Sequence, residues 1–224
     1  MDGFPFTVNV IYRARTKSAE ITIEDEVVNV IVPNSLLETQ VRRLITKRLA
    51  WIKKTLVAQA KAGKPKVIEY VNGESFAYLG KNYRLKIVKG EEPAAKLKSG
   101  YLWVTASNTE DIKEAIKQWY FRLAQKRLAE KTTRFSEMLG VSPRSVSIKD
   151  FKTKWGSCSK NGDIAYNWKI IMASNNLVDY LVIHELCHLK ELNHSARFWK
   201  LLDRHKPDWR ECKIDLANMS FIII

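Results

Sequence analysis

The stretch that decides the fold is residues 179–199, which read DYLVIHELCHLKELNHSARFW. Within it, His184 and His188 stand four residues apart in a largely apolar segment, and this pattern predicts a buried helix. Histidines at positions i and i+4 lie on one face of a helix, so both imidazoles can bind a single Zn²⁺ ion. Glu185 points beside such an ion, where a carboxylate can take a proton from water. The segment therefore predicts zinc-dependent hydrolysis.

The third zinc ligand is predicted to be His194, six residues after His188. The residues between them can end the helix and turn the chain back, which would bring the His194 ring towards the same ion. Some zinc hydrolases use a downstream carboxylate instead. The acidic candidates for that role are Glu191, Asp203, Asp208 and Glu211. The remaining histidine, His205, is predicted to lie at a helix C-terminus, where the helix dipole favours it.

An extended segment with a central glycine precedes the histidine helix. Residues 154–159 read KWGSCS, and Asn161-Gly162 is a dipeptide typical of tight hairpin turns. An edge strand beside a metal-binding helix can pair with an extended substrate backbone. Trp155, Gly156 and Ser157 are therefore predicted to bind substrate. The other interpretation makes Trp155 a core residue and Gly156 the site of a bulge.

Polar residues and cysteines in this part of the chain allow both a catalytic and a structural interpretation. Asn167 is predicted to bind substrate, because an amide there, like the hydroxyl of Tyr166, could donate to the oxyanion of the transition state. A structural hydrogen-bonding role for Asn167 is the alternative. Cys158 and Cys187 are predicted to be small packing residues and not ligands or nucleophiles.

The rest of the chain predicts an α+β fold with two lobes. A β-rich N-terminal lobe with one long helix is expected over residues 1–108, and a catalytic lobe over residues 109–224. The predicted strands are residues 7–12, 19–24, 27–32, 83–88 and 102–105, with an extended segment over 146–159 and a return strand over 164–168. The predicted helices are residues 36–62, 109–139, 176–189, 195–205 and a last one from about 208. Ser195 is predicted to be the N-cap of the helix 195–205.

Composition fits a globular protein. Hydrophobic residues make up 46% of the 224 and charged residues 28%, which excludes a disordered chain. No apolar run approaches the roughly 18 residues that cross a bilayer. Three cysteines are too few and odd in number for a disulfide scaffold, so a reducing, cytoplasmic location is predicted. The sequence predicts neither the oligomeric state nor a role for the apolar C-terminal segment Phe221–Ile224.

The chain is strongly basic, with 38 Lys+Arg against 24 Asp+Glu and a net charge of +14. The excess is even, 18 − 11 = +7 for residues 1–110 and 20 − 13 = +7 for residues 111–224. This distribution predicts at most weak, non-specific nucleic-acid binding.

Two alternative functions follow from this charge. One is a metal-dependent nucleotide phosphohydrolase, although no glycine-rich phosphate loop is present. The lysines that favour it are Lys149, Lys152, Lys154 and Lys160. The other is a nucleic-acid-associated protein with structural zinc, although such sites normally have four protein ligands.

Taken together, these residues resemble the YgjP-like metallopeptidase family, which is related to the SprT-like proteases. The specific matches are residues 154–159, Asp179-Tyr180, the His184–His188 motif, Asn193-His194-Ser195 and Phe198-Trp199. Weaker upstream matches extend the resemblance over nearly the whole chain. The resemblance implies a small zincin with an added β-rich N-terminal part that acts on peptides or proteins. It also implies that His184, His188 and His194 bind Zn²⁺ and that Glu185 is the catalytic acid/base. Ala173-Ser174-Asn175 departs from the family pattern, which usually has a proline at this helix entry.

Overall fold

The computed structural model of the protein describes residues 3–14, 19–24, 27–62 and 68–219. The chain divides into two compact units, Met1–Lys66 and Val67–Ile224, and each has its own hydrophobic core. Helices and strands occur in both units, which confirms the predicted α+β class. The C-terminal segment Phe221–Ile224 lies outside the described residues. Within the described part of the chain, no helix combines the length and apolarity needed to cross a membrane.

The first unit combines a three-stranded sheet with two helices. Its elements are β1 (Val8–Arg13), β2 (Glu20–Glu24), β3 (Val27–Pro33), α1 (Glu38–Lys47) and α2 (Leu49–Ala62). The strand order is β1-β3-β2, with β1 parallel and β2 antiparallel to β3. Alternate residues of β3, Val28, Val30 and Val32, are fully buried against the helices, as expected for a strand with one face on a core.

The single helix predicted over residues 36–62 is in fact two helices. The N–H of Arg48 donates to the carbonyl of Ile45 at 3.0 Å, a tighter i→i−3 bond that ends α1 before α2 begins. Ile45 and Ile52, on either side of the break, reach the same core. The apolar periodicity continues across the break, so the sequence pattern alone does not reveal it.

The second unit begins with a four-stranded sheet packed on a long helix. Its elements are β4 (Ser75–Tyr78), β5 (Lys81–Lys89), β6 (Ala94–Lys98), β7 (Tyr101–Ala106) and α3 (Thr109–Leu139). The strand order is β4-β5-β7-β6, and only β5 and β7 are parallel. The predicted helix 109–139 is confirmed. Asn108 caps its start by accepting from the Asp111 N–H at 2.9 Å, and Gly140 ends it with a left-handed φ of 61°.

A three-stranded sheet and three helices complete the second unit. They are β8 (Ser145–Lys149), β9 (Gly156–Cys158), β10 (Asp163–Asn167), α4 (Asn175–Cys187), α5 (Ala196–His205) and α6 (Trp209–Asn218), with a 3₁₀ turn at Trp168–Met172. The strand order is β8-β10-β9, so β9 lies at an edge. The extended segment predicted over 146–159 is therefore two strands. The predicted Asn161-Gly162 turn joins only β9 to β10, with Gly162 at a φ of +84°.

One hydrophobic core runs through the second unit and joins its four-stranded sheet to α3 and α4. Leu102 and Val104 of β7 are fully buried in it together with Ile116 and Leu128 of α3. The boundary predicted after residue 108 falls inside this unit, at the N-cap of α3. The change from strand-like to helical sequence occurs there, but the two kinds of element pack on each other across it.

A pair of fragments can distinguish the observed division after Lys66 from the predicted division after residue 108. We expect residues 67–224 to fold alone and unfold cooperatively, because their core is complete. Residues 109–224 should not, because loss of the sheet would expose Trp119 and Tyr120 of α3, which contact Tyr78 and Ala77 of β4. Thermal unfolding followed by circular dichroism, with size-exclusion chromatography, measures this. Cooperative unfolding of 109–224 at the same temperature as 67–224 would favour the predicted division after residue 108.

Candidate active site

The site is built on α4, a helix that is buried on most of its surface. Ser174 caps its start by accepting from the Leu177 N–H at 3.4 Å. The helix ends at Cys187, two residues before the predicted end, and His188 is its C-cap. Because His188 keeps a helical backbone, with φ −66° and ψ −17°, the one-turn relation between His184 and His188 is preserved.

His194 reaches α4 from the turn that leads into α5. Ser195 is the N-cap of α5, as predicted, and its hydroxyl accepts from the Phe198 N–H at 3.3 Å. The Nε2 atom of His194 lies 3.0 Å from the Nε2 atom of His184. Ring nitrogens of His184, His188 and His194 all lie within 4.8 Å of one another. The structure therefore brings the three predicted ligands together.

The four acidic candidates for a third ligand are not part of this cluster. Asp203 instead accepts from the indole N–H of Trp209 and from Arg210, each at 2.9 Å. Asp208 is bound by Asn176 at 2.8 Å and by Lys206. His205 is the last residue of α5, where the sequence predicted it.

One pair of ring nitrogens in the histidine cluster has nearly the spacing of two zinc ligands. Zn–N bonds of about 2.0–2.1 Å in a tetrahedron put two ligand nitrogens roughly 3.3–3.4 Å apart, close to the observed 3.0 Å. The Nδ1 atom of His188 lies 3.1 Å from the Glu191 carbonyl oxygen. Donation to that oxygen leaves Nε2 of His188 for a metal.

Burial keeps the three imidazoles neutral. It lowers the pKa of His184 to about 3, with smaller contributions from His188, His194 and Lys213. Burial is also the main cause that lowers the pKa values of His188 and His194. A neutral imidazole is the form that binds a metal ion, so the site needs no deprotonation before it can bind one near neutral pH.

Phe198 packs against the histidine cluster, a role that the sequence did not indicate. Its fully buried ring packs on all three imidazoles, with centroid distances of 4.6 to 5.0 Å. Trp199 stacks on His194 at 5.3 Å. Nδ1 of His184 is buried and has no hydrogen-bond partner among the described residues, so packing on Phe198 orients this ring. The available signal was the position of Phe198 on the apolar face of a capped helix, four residues after His194.

Glu185 is a buried carboxylate that faces β9. Its side chain is only 5% exposed, and this burial raises its pKa to about 8 in the metal-free protein, opposed by the charge of Lys154. A Cβ atom on Gly156 would lie 2.6 Å from Oε1 of Glu185 and 3.0 Å from Cδ and Cγ. Gly156 was predicted to bind substrate. In the structure, the absence of its side chain allows close approach of Glu185.

The other predicted substrate-binding residues lie on β9, immediately before it, or on the neighbouring strand β10. Trp155 is half-buried against the core, which fits the core interpretation, and Ser157 lies on the edge strand opposite Ala165. Asn167 is fully buried, and its amide donates to the carbonyls of Phe151 at 2.9 Å and Lys154 at 3.1 Å. Both amide hydrogens are therefore used, which gives Asn167 the structural role of holding the loop before β9.

Tyr166 and the cysteines also have structural environments. The Tyr166 hydroxyl is buried 3.2 Å from that of Thr132. All three cysteines are free thiols. Burial raises the pKa of Cys187 to about 12 and that of Cys158 to about 11. Protonated thiols are poor ligands and nucleophiles, in agreement with the predicted packing role.

Fold and site together define a metal-dependent hydrolase. Residues 17–219 match the family described as YgjP-like, metallopeptidase domain. The chain belongs to the YgjP-like metallopeptidase family, and its substrates are peptides or proteins. This membership does not favour either alternative, the nucleotide phosphohydrolase or the protein with structural zinc.

Solved structures give a more distant similarity. The metallopeptidase zymogen of Pyrococcus abyssi abylysin is 24% identical, with a TM-score of 0.37 over 40% of this chain and 90% of that chain. The metallopeptidase zymogen of Methanocaldococcus jannaschii jannalysin is also 24% identical, with a TM-score of 0.35 over 41% and 97%. No curated protein matches the sequence.

The contact between Gly156 and Glu185 predicts a selective loss of rate. The added methyl of Gly156→Ala should push the carboxylate aside, and a misplacement of about 1 Å can cost on the order of 100-fold in kcat. The fold and the metal content should be unchanged, because only a side-chain end has to move. Steady-state kinetics on a fluorogenic peptide, with metal analysis and thermal unfolding, test this.

Cys158→Ala on the same strand is the control for this variant, and it should keep nearly the full rate. A Gly156→Ala protein with wild-type kcat would contradict the catalytic importance of the contact.

Proposed function

We propose that the protein is a zinc peptidase in which His184, His188 and His194 hold the ion and Glu185 is the general base. The observation that carries this proposal is the convergence of three imidazoles, whose ring nitrogens lie within 4.8 Å of one another. The buried carboxylate of Glu185 directly follows the first of these histidines on α4. Three protein ligands leave one position of a tetrahedral ion for water or substrate, as in catalytic zinc sites.

The chain's own residues provide proton transfer. When bound, zinc supplies Lewis-acid chemistry that polarises the scissile carbonyl and makes water more acidic. The Glu185 carboxylate accepts a proton from the attacking water and delivers it to the leaving amine. The space left by the missing side chain of Gly156 admits this carboxylate beside β9.

The edge strand β9 is the proposed place for the substrate backbone. Among the described strands, β9 has a neighbour on one side only, β10, so an extended peptide could add along Trp155, Gly156 and Ser157. The same strand contacts Glu185, and this brings a bound backbone near the metal cluster. Asn167 contributes indirectly, through its bonds to the loop before β9. A cytoplasmic location, favoured by the free thiols, stays a prediction.

Two variants separate metal binding from proton transfer. Glu185→Gln keeps the size of the side chain but cannot accept a proton, so it should retain zinc and lose roughly 10²–10⁴-fold in rate. His194→Ala removes one of three ligands, so its zinc content and its rate should both fall sharply. Elemental analysis of the purified chain and peptide hydrolysis are measured for each variant.

His205→Ala and Glu211→Gln are the matched controls, because neither side chain belongs to the histidine cluster. Both should keep about one zinc ion per chain and the full rate. Loss of zinc from Glu185→Gln with retention in His194→Ala would reverse the assignment of the two residues. Full zinc content and full activity in both variants would disprove the proposed site.

A further inference from the structure

The four-stranded sheet of the second unit presents a chemically distinct surface on the side away from the core. Residues directly opposite each other on paired strands share one face of a sheet. Tyr101 of β7 is flanked by Arg84 on β5 and Lys98 on β6, and Trp103 is flanked by Lys86 and Lys96. We call these six residues the basic–aromatic face. Their neighbours along the strands, such as Leu85 and Leu102, are buried in the core.

This face carries positive charge without acidic partners. Strands β4 to β7 contain no aspartate or glutamate, and their cationic residues are Lys81, Arg84, Lys86, Lys89, Lys96 and Lys98. The four cations of the basic–aromatic face are exposed, and none makes an ion pair with another described residue. Glu91 and Glu92 lie in the β5–β6 connection, at the end of the sheet away from Tyr101. Uncompensated charge on one face attracts a polyanion.

Two aromatic rings lie among these cations. Nζ of Lys86 is 4.2 Å from the ring centroid of Trp103 and 6.0 Å from that of Tyr101, and Nζ of Lys98 is 5.7 Å from Trp103. The indole N–H of Trp103 donates to the Lys98 carbonyl at 3.0 Å, which fixes the ring. Tyr101 is 44% exposed. The face therefore combines stacking surfaces with phosphate-binding groups a few ångströms away.

We propose that the basic–aromatic face binds single-stranded nucleic acid. Bases stack on Tyr101 and Trp103, and the four cations contact phosphates. Lys86 now covers Trp103, and its flexible side chain turns to a phosphate when a base takes its place. Unpaired bases are required, because a duplex presents its phosphates and not its base faces to a flat sheet. An acidic polypeptide would use the cations but would leave the exposed ring of Tyr101 without a stacking partner.

Binding is tested on the full chain with fluorescein-labelled oligo(dT) and oligo(U) of about 15 nucleotides. Fluorescence anisotropy is recorded at several salt concentrations between roughly 50 and 200 mM. Four phosphate contacts predict a slope of log K against log[salt] of about −3, since each contributes roughly −0.7 on single strands. A duplex of the same length should bind more weakly, and polyglutamate should be a poor competitor.

Substitutions separate stacking from charge. Tyr101→Ala should weaken binding roughly 5- to 100-fold, while Tyr101→Phe, which keeps the ring, should stay within about twofold of the wild type. The double variant Lys86→Glu/Lys96→Glu should flatten the salt slope by about 1.4. Lys113→Glu/Lys126→Glu on α3 changes the net charge equally and should leave the slope unchanged. Because these side chains are exposed or half-exposed, we expect near wild-type unfolding temperatures.

Ultraviolet crosslinking of the wild-type complex, followed by peptide mapping, gives a readout that needs no variant. Crosslinks at Tyr101 or Trp103 would support the proposal. Crosslinks only elsewhere, equal weakening by both charge-reversed pairs, or wild-type binding by Tyr101→Ala would overturn it. Duplex binding as tight as single-strand binding, effective competition by polyglutamate, or no binding at the lowest salt would overturn it as well.

Discussion

The burial of the Glu185 carboxylate is the constraint on which the rest of the site depends. A carboxylate with 5% exposure costs free energy unless its surroundings compensate the charge, and its raised pKa of about 8 in the metal-free protein reflects this cost. Helix α4 can carry such a group because its other sides are held in the core. A divalent cation held by the neighbouring histidines would offset part of this cost.

The two sides of α4 make different contributions. On one side, β9 approaches closely enough that only a glycine fits at residue 156 against Glu185. On the other, Phe198 of α5 supports His184, His188 and His194 as a group. Glu185 and the three histidines are thus held by separate elements. Under the proposed function, a change on β9 would therefore impair proton transfer without removing the metal, and a change on α5 would act on the ligands.

The same core also determines what the rest of the second unit exposes. The four-stranded sheet places Leu102 and Val104 against α3, and strand alternation then directs Tyr101 and Trp103 outwards with their flanking cations. The histidine cluster and the basic–aromatic face are consequently carried by different elements of one folded unit, the cluster by α4 and the turn before α5 and the face by the four-stranded sheet. The even division of charge along the sequence conceals this local concentration, because the cations come from separate strands and meet only through their pairing.

Local patterns in the sequence determined the α+β class, the helix with His184 and His188 on one face, the Ser195 cap and the Asn161-Gly162 turn. Each of these depends on residues a few positions apart, whose relation the backbone geometry of a helix or a turn dictates. Tertiary structure alone decided that Phe198 packs on the three histidines, that Gly156 faces Glu185, that the Asn167 amide binds the loop before β9 and that Lys86 lies over Trp103. It also decided that α3 and the preceding sheet share one core. These contacts join residues distant along the chain, and an apolar or polar pattern indicates that a side chain is buried or exposed but not which partner it meets.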